Sequence, residues 1–195
     1  MDAFVPRIDH YAWYEDGSES GSSIVGSEDN APTRNNDSDS PIHLRLLIAE
    51  TGAGSAGGMA TDDWQLQYDV NSAGSWADVN AASSRVQTDT SPATVSDTDA
   101  TTDRGTNGLT NPGSGSFVAG IVEAGDGEIT NHELTADNFT EHLWALILVS
   151  ADNSDTDTID FRVQLNGTEI ADNVGPSIVI DKAAVVATRR VIMVN

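Results

Sequence analysis

The chain has 195 residues, with 31 acidic against 9 basic side chains, a net charge of −22 and no cysteine. That length suits one domain of ordinary size. The charge excludes a nucleic-acid or anionic-membrane binder working by long-range attraction, and the missing cysteine excludes disulfides, thiolate metal sites and a thiol nucleophile.

Residues 1–9 read as an N-terminal arm, residues 10–181 as the folded domain and residues 182–195 as a C-terminal strand or docking arm. The first ten residues carry no positive region ahead of an apolar stretch, so no secretory signal is read, and no apolar run reaches the ~18 residues of a membrane helix.

Taken in order, the first predicted strand is His10–Glu15. In Pro41–Glu50 the side chains of Ile42, Leu44, Leu46 and Ile48 share one face while His43 and Arg45 take the other. Asp63–Val70 repeats the alternation, with Trp64, Leu66, Tyr68 and Val70 inward. Asn71–Gly74 then reads as the short loop of a hairpin leading into Ser75–Val79.

Residues 87–115 hold only Val95 and Leu109 as large apolar groups, a long excursion that either covers a surface or lies against a neighbour. Further strands are predicted at Ser116–Glu123 and Glu128–Leu134. Asn138–Glu141 has the form of a helix-capping box, yet Leu143–Val149 is apolar on both faces and reads as a central strand. Ile159–Leu165 alternates again, Asn166-Gly167 is a strong hairpin turn, and Pro176–Asp181 is the last predicted strand of the domain. Half-buried antiparallel strands at this spacing define an all-β chain, an antiparallel β-sandwich or jelly-roll-like fold with long acidic loops.

The C-terminal 14 residues differ in kind. Lys182, Arg189 and Arg190 stand there without an acid, giving +3, so the preceding 181 residues hold −22 − 3 = −25. Residues 182–195 read either as a strand completing the sheet or as an arm docking on an acidic partner, with Lys182, Arg189, Arg190, Val191 and Ile192 as the docking residues.

Little in the chain carries chemistry. Gly52, Gly54 and Gly57 spell G-x-G-x-x-G, but Asp62-Asp63-Trp64 opens a strand where a dinucleotide site requires a helix. His10, His43, His132 and His142 have no H-x-x-x-H spacing and are not read as ligands. Asp152, Asp155 and Asp157 are the candidates for a structural cation, although neither they nor the run Asp97–Asp103 fit an EF-hand. No catalytic residue and no cofactor site is identified. Sequons occur at Asn36, Asn138 and Asn166.

Asp outnumbers Glu 22 to 9 and Lys182 is the only lysine, a profile similar to proteins of extreme halophiles, whose crowded acids tolerate one another in strong salt. Tyr11–Gly21, Ser27–Asp29, Ile42–Leu46, Asp63–Tyr68, Gly115–Gly120, Leu134–Glu141 and Thr158–Val163 together resemble a β-sandwich family. Its members occur among structural proteins of tailed viruses and among secreted bacterial surface modules. The likeness spans roughly residues 10–181 and brings no catalytic residue with it.

The resemblance and the acidity together imply a structural protein of a haloarchaeal tailed virus, assembled in the host cytoplasm and exposed to brine on the particle exterior as a capsid decoration or turret-type subunit. The implied partners are other virion proteins and further copies of the chain, with no nucleic acid and no membrane. The alternative is a tail-fibre or cell-surface module that recognises host glycan or S-layer through residues 87–115 and 51–62.

Overall fold

The computed structural model describes residues 4–50, 62–105 and 108–183, and these form a β-sandwich. The first sheet contains β1 (Pro6–Glu15), β2 (Ile24–Val25), β4 (Ser40–Glu50), β7 (Val86–Thr88), β8 (Phe117–Glu123), β10 (Phe139–Leu148) and β13 (Ala171–Asp172). The second contains β3 (Thr33–Asn35), β5 (Trp64–Val70), β6 (Ala77–Asp78), β9 (Glu128–Ile129), β11 (Thr158–Leu165), β12 (Thr168–Glu169) and β14 (Ser177–Asp181). The main strand orders are β13-β1-β4-β10-β7 and β3-β14-β11-β5-β6.

The alternating segments form the sandwich interior. Ile42, Leu44, Leu46 and Ile48 of β4 and Trp144, Leu146 and Leu148 of β10 face Trp64, Leu66, Phe161, Val163 and Ile178 of the second sheet. Three tryptophans sit fully buried in this core, and each indole N–H donates to a carbonyl: Trp13 to Ser177, Trp64 to His132 and Trp144 to Gly127, at 2.9, 2.9 and 3.2 Å. Trp13 also meets Phe161 edge to face, ring centroids 5.3 Å apart. The candidate capping box at Asn138–Glu141 opens β10 rather than a helix, because the strand it begins is buried on both faces.

Three details depart from the alternation and spacing of the sequence. The segment expected as an arm over residues 1–9 enters the sheet at Pro6, where Pro6, Arg7 and Ile8 pair with Glu50, Ala49 and Ile48; Ile8 is wholly buried and extends the apolar face. Not all pairs are antiparallel. β1–β13, β8–β10 and β3–β14 run parallel, and between β8 and β10 the chain crosses through β9 of the second sheet, as a parallel pair requires.

The outward face of β4 is also not hydrated: His43 and Arg45 are 1% and 0% exposed. The described parts of residues 87–115 cover it. Leu109 packs on Ala12, Tyr14, Leu47, Ala49 and Phe139, while Val95 packs on Val122, Leu143 and Ala145. Thr101 fastens this cover, its hydroxyl accepting from Gly120 N at 2.9 Å and donating to Glu141 O at 2.5 Å. A side chain at Gly120 would put a Cβ 2.1 Å from Glu141 O, so only glycine admits this approach.

β1 carries a bulge. Between Ile8 and His10 the register shifts, so Asp9 has no opposite number on β4. Ile8, Tyr11 and Trp13 therefore face inward, and His10, opposite Leu47, is placed on the outer face.

Candidate functional site

The densest chemistry lies on the covered outer face. Arg45 and Glu141 are diagonal neighbours across β4 and β10, since Arg45 stands opposite Leu143. Arg45 Nε is 3.3 Å from Glu141 Oε2, and Arg45 Nη2 donates to Glu19 in the turn after β1. Glu19 accepts in addition from Thr102 N at 2.8 Å and Thr102 Oγ1 at 2.9 Å.

Arg104 completes the cluster. Its backbone N–H donates to Glu141 Oε1, and its guanidinium donates to Glu19 O and Ser22 O, each at 3.0 Å, while lying 4.9 Å from the Tyr14 ring centroid. Two arginines and two glutamates thus join β4, β10, the turn after β1 and the covering excursion. Burial pushes the Glu141 carboxyl up to about 7, against the pull of Arg45 and the Arg104 N–H. Burial likewise lowers Arg45, whose charge Glu141 and Glu19 support.

A second buried group lies at one end of the sandwich core. His142 of β10 is fully buried against Trp64, Trp144 and His132, the two imidazole centroids 4.6 Å apart. Ile121 N–H donates to His142 Nδ1 at 3.1 Å, and His132 Nε2 lies 2.8 Å from Ala119 O. Burial drives His142 well below its ordinary value and lowers His132 too.

Below pH ~6.5 the unfolded chain binds protons at these rings that the fold refuses. Their contribution is therefore complete above that pH and lost as pH falls. Glu141, whose proton the fold favours, works in the opposite sense between its ordinary range and about 7. His142→Asn, which keeps an acceptor for Ile121, isolates the histidine part. Wild type is expected to lose up to ~1.4 kcal/mol per pH unit more than the variant as pH drops from ~6.5 to 5, measured by denaturant unfolding. Equal slopes would remove the assignment.

Two of the three candidate cation residues have hydrogen-bond partners within the chain. Asp157 accepts from Arg85 Nη1 and Ser154 N at 2.8 Å and from Asn71 Nδ2 at 2.9 Å. Asp155 accepts from Lys182 N at 3.1 Å, and Asp152 is exposed. Carbonyls that a cation in this turn would use, Ser150 O and Asn153 O, lie 2.6 and 2.9 Å from Lys182 Nζ. Lys182, expected to dock a partner, is hydrogen-bonded to the carbonyls of its own chain's acidic turn. Arg189, Arg190, Val191 and Ile192 lie outside the described residues, as do the three glycines of the G-x-G-x-x-G segment.

Of the sequons, Asn36 is 0% exposed and its amide donates to Ser38 O and Leu148 O, while Asn138 and Asn166 hold loop ends together.

Many aspartates act as short-range caps for loop N–H groups. Asp69 accepts from Val70, Gly74 and Ser75, Asp172 from Val174 and Gly175, Asp89 from Ser91 and Asp103 from Gly105. The short Asp stem reaches its own turn where Glu overshoots, which gives the Asp excess a structural cause beside hydration.

Two open features were not legible in the sequence. On the outer face of the second sheet, Arg162 stacks 4.4 Å from the Trp76 ring centroid and donates to Gln67 Oε1 at 2.8 Å; Asp69, Asp160, Glu169 and Asp172 line the surrounding groove of about 370 Å³. On the first sheet, His10 meets Glu28 and Asp29, the one convergence of three metal-capable side chains among the described residues. A polar cleft of about 590 Å³, lined by Arg7, His10, Glu50, Asn111, Asp137 and Asn138 among others, adjoins it. The signals were present as single residues, but Trp76 and Arg162 are 86 positions apart and His10 is 18 from Glu28.

The fold and these features define an acidic β-sandwich whose loops are fastened to its own sheet. No family model, curated protein or solved structure matches the chain.

Proposed function

We propose that this chain is a non-enzymatic virion structural protein adapted to high salt, a capsid decoration or turret-type subunit on the exterior of a tailed virus. Its partners are then other virion proteins and further copies of itself. The observation that carries the reading is the use of buried charge. Arg45, Glu141, Glu19 and Arg104 hold two loops flat on a sheet, giving a stiff slab with acid-capped turns. A shell subunit needs a fixed outline and a hydrated surface more than a mobile cleft. The net charge of −22 and the family resemblance over residues 10–181 supply the setting.

One feature favours a second reading, a tail-fibre or cell-surface module for host glycan. Such modules need an aromatic platform ringed by hydrogen-bonding groups, and the Trp76–Arg162 groove offers both. This reading uses the outer face of the second sheet rather than residues 87–115, which pack on the first sheet through Val95 and Leu109; residues 51–61 lie outside the described residues.

Fractionating particles into tailless capsids and isolated tails separates the two. Immunoblotting is expected to find the chain with the capsids. Recovery with tails, together with cell attachment lost in Trp76→Ala, would overturn the decoration role in favour of glycan binding.

A further inference from the structure

We propose that His10, Glu28 and Asp29 form a binding site for a borderline divalent transition-metal ion, zinc foremost, that clasps three segments of the first sheet's outer surface. The three ligand atoms lie within 4.8 Å of one another. His10 Nδ1 is 2.6 Å from Asp29 Oδ2 and 3.3 Å from Glu28 Oε1. A tetrahedral ion with bonds of ~2.0–2.1 Å sets its ligands roughly 3.3 Å apart. The His10–Glu28 spacing already matches, His10–Asp29 is shorter by less than an ångström, and the two carboxylate oxygens, within 4.8 Å of each other, would draw together on the ion.

The ligands are held from behind. The β1 bulge aims His10 outward. Asp29, with φ of 54°, is docked on Tyr11 twice: its backbone N donates to Tyr11 O at 3.0 Å and its Oδ1 accepts from Tyr11 N at 2.9 Å. Glu28 accepts from both Thr110 N and Thr110 Oγ1, the latter at 2.8 Å. Such outer hydrogen bonds orient ligands at metal sites. Each carboxylate therefore has its direction fixed by a group other than the metal.

The arrangement also poses a charge problem that a cation answers. Two carboxylates converge on one imidazole nitrogen, and a single N–H proton can serve only one of them. A divalent ion serves both while the nitrogen supplies its lone pair. One nitrogen and two oxygens suit zinc and its neighbours, whereas Ca²⁺ and Mg²⁺ favour all-oxygen shells of six or more. The side chains are 25–28% exposed, so an ion can reach them and keep a coordination position open to solvent. Bound there, it would join β1, the turn at 28–29 and, through Glu28, the covering excursion at Thr110. None of this depends on the virion role.

The test uses the full chain, stripped of metal with chelator and held in ~3 M KCl at pH 7.5. Titration calorimetry with ZnCl₂ is expected to give one site per chain, and thermal unfolding should shift upward with added zinc. His10→Asn should weaken binding by at least ~100-fold and Thr110→Val by ~10–100-fold, the range seen when outer partners of a metal ligand are removed. CaCl₂ should bind at least ~100-fold more weakly than ZnCl₂. Should either variant fold poorly, tetrahedral Co²⁺ absorption bands from the unaltered chain supply the same decision. No saturable zinc heat, zinc binding unchanged in His10→Asn, or equal affinity for calcium would each overturn the site and leave a simple ion pair.

Discussion

Arg45→Met is expected to destabilise the protein by about 3–5 kcal/mol at pH 8, the loss typical when one partner of a buried ion pair is removed. Arg45 is wholly buried, so its loss leaves Glu141, also wholly buried, without an ion-pair partner among the described residues and with only the Arg104 backbone N–H as a donor. Glu19 loses its strongest partner at the same time. The cost should shrink toward pH 5, because Glu141, already raised to about 7 by burial, takes up a proton and the uncompensated charge disappears.

The double variant Arg45→Met/Glu141→Gln should recover much of the loss. Gln still offers Arg104 N an acceptor, and the original pair leaves Arg45 Nε, Arg45 Nη1 and Glu141 Oε2 without a hydrogen bond of good geometry. Pairs of that kind are often replaced by uncharged groups with little net change. Denaturant unfolding of the four proteins in a double-mutant cycle measures the coupling. Hydrogen exchange should show the first loss of protection at Thr101 and Arg104, where the cover is fastened. A single variant costing under ~1 kcal/mol would mean that the cover is held by its apolar contacts alone.

The second large effect is that of salt. A body of 195 residues has a radius of about 20 Å, and spreading −22 over it creates self-repulsion that the expanded chain largely escapes. At ~0.1 M salt the screening length is ~10 Å and at ~1 M it is ~3 Å. Coulomb's law with those lengths puts the difference in stability on the order of 5–10 kcal/mol, comparable to the whole stability of a domain.

Dialysis from ~3 M to ~0.1 M KCl should therefore lower the Tm by roughly 10–30 °C or unfold the chain. Hydrogen-bond donors hold Asp37 and Asp39 below the usual carboxylate range, and against its burial Asp157 is held there by Asn71, Ser154 N and Arg85. A Tm unchanged by dialysis would show that local pairing already offsets the charge.

Comparison of strand with site shows where sequence reading succeeds. The alternations at 42–48, 64–70 and 159–165 set the inward faces of β4, β5 and β11, because a period of two leaves only one way to bury the large side chains. The all-apolar run at 143–149 likewise placed β10 at the centre. His43 and Arg45 defeated the same logic. They sit at positions that alternation assigns to water, and only the return of residues 87–115 over that face makes them interior. A segment poor in large apolar groups gives no sign of what it will cover, since Thr101 and Arg104 act there through hydrogen bonds.

Length, acidity and periodicity by themselves determined an all-β sandwich that carries a heavy negative charge, because those properties depend on neighbours along the chain. The tertiary structure alone decided which polar residues are buried, that Lys182 is hydrogen-bonded to carbonyls of its own acidic turn, and that a one-residue bulge brings His10 to Glu28 and Asp29. These depend on contacts between segments 18 to about 120 positions apart, whose closure is set by packing and by the desolvation of charge, and neither leaves a periodic mark in the sequence.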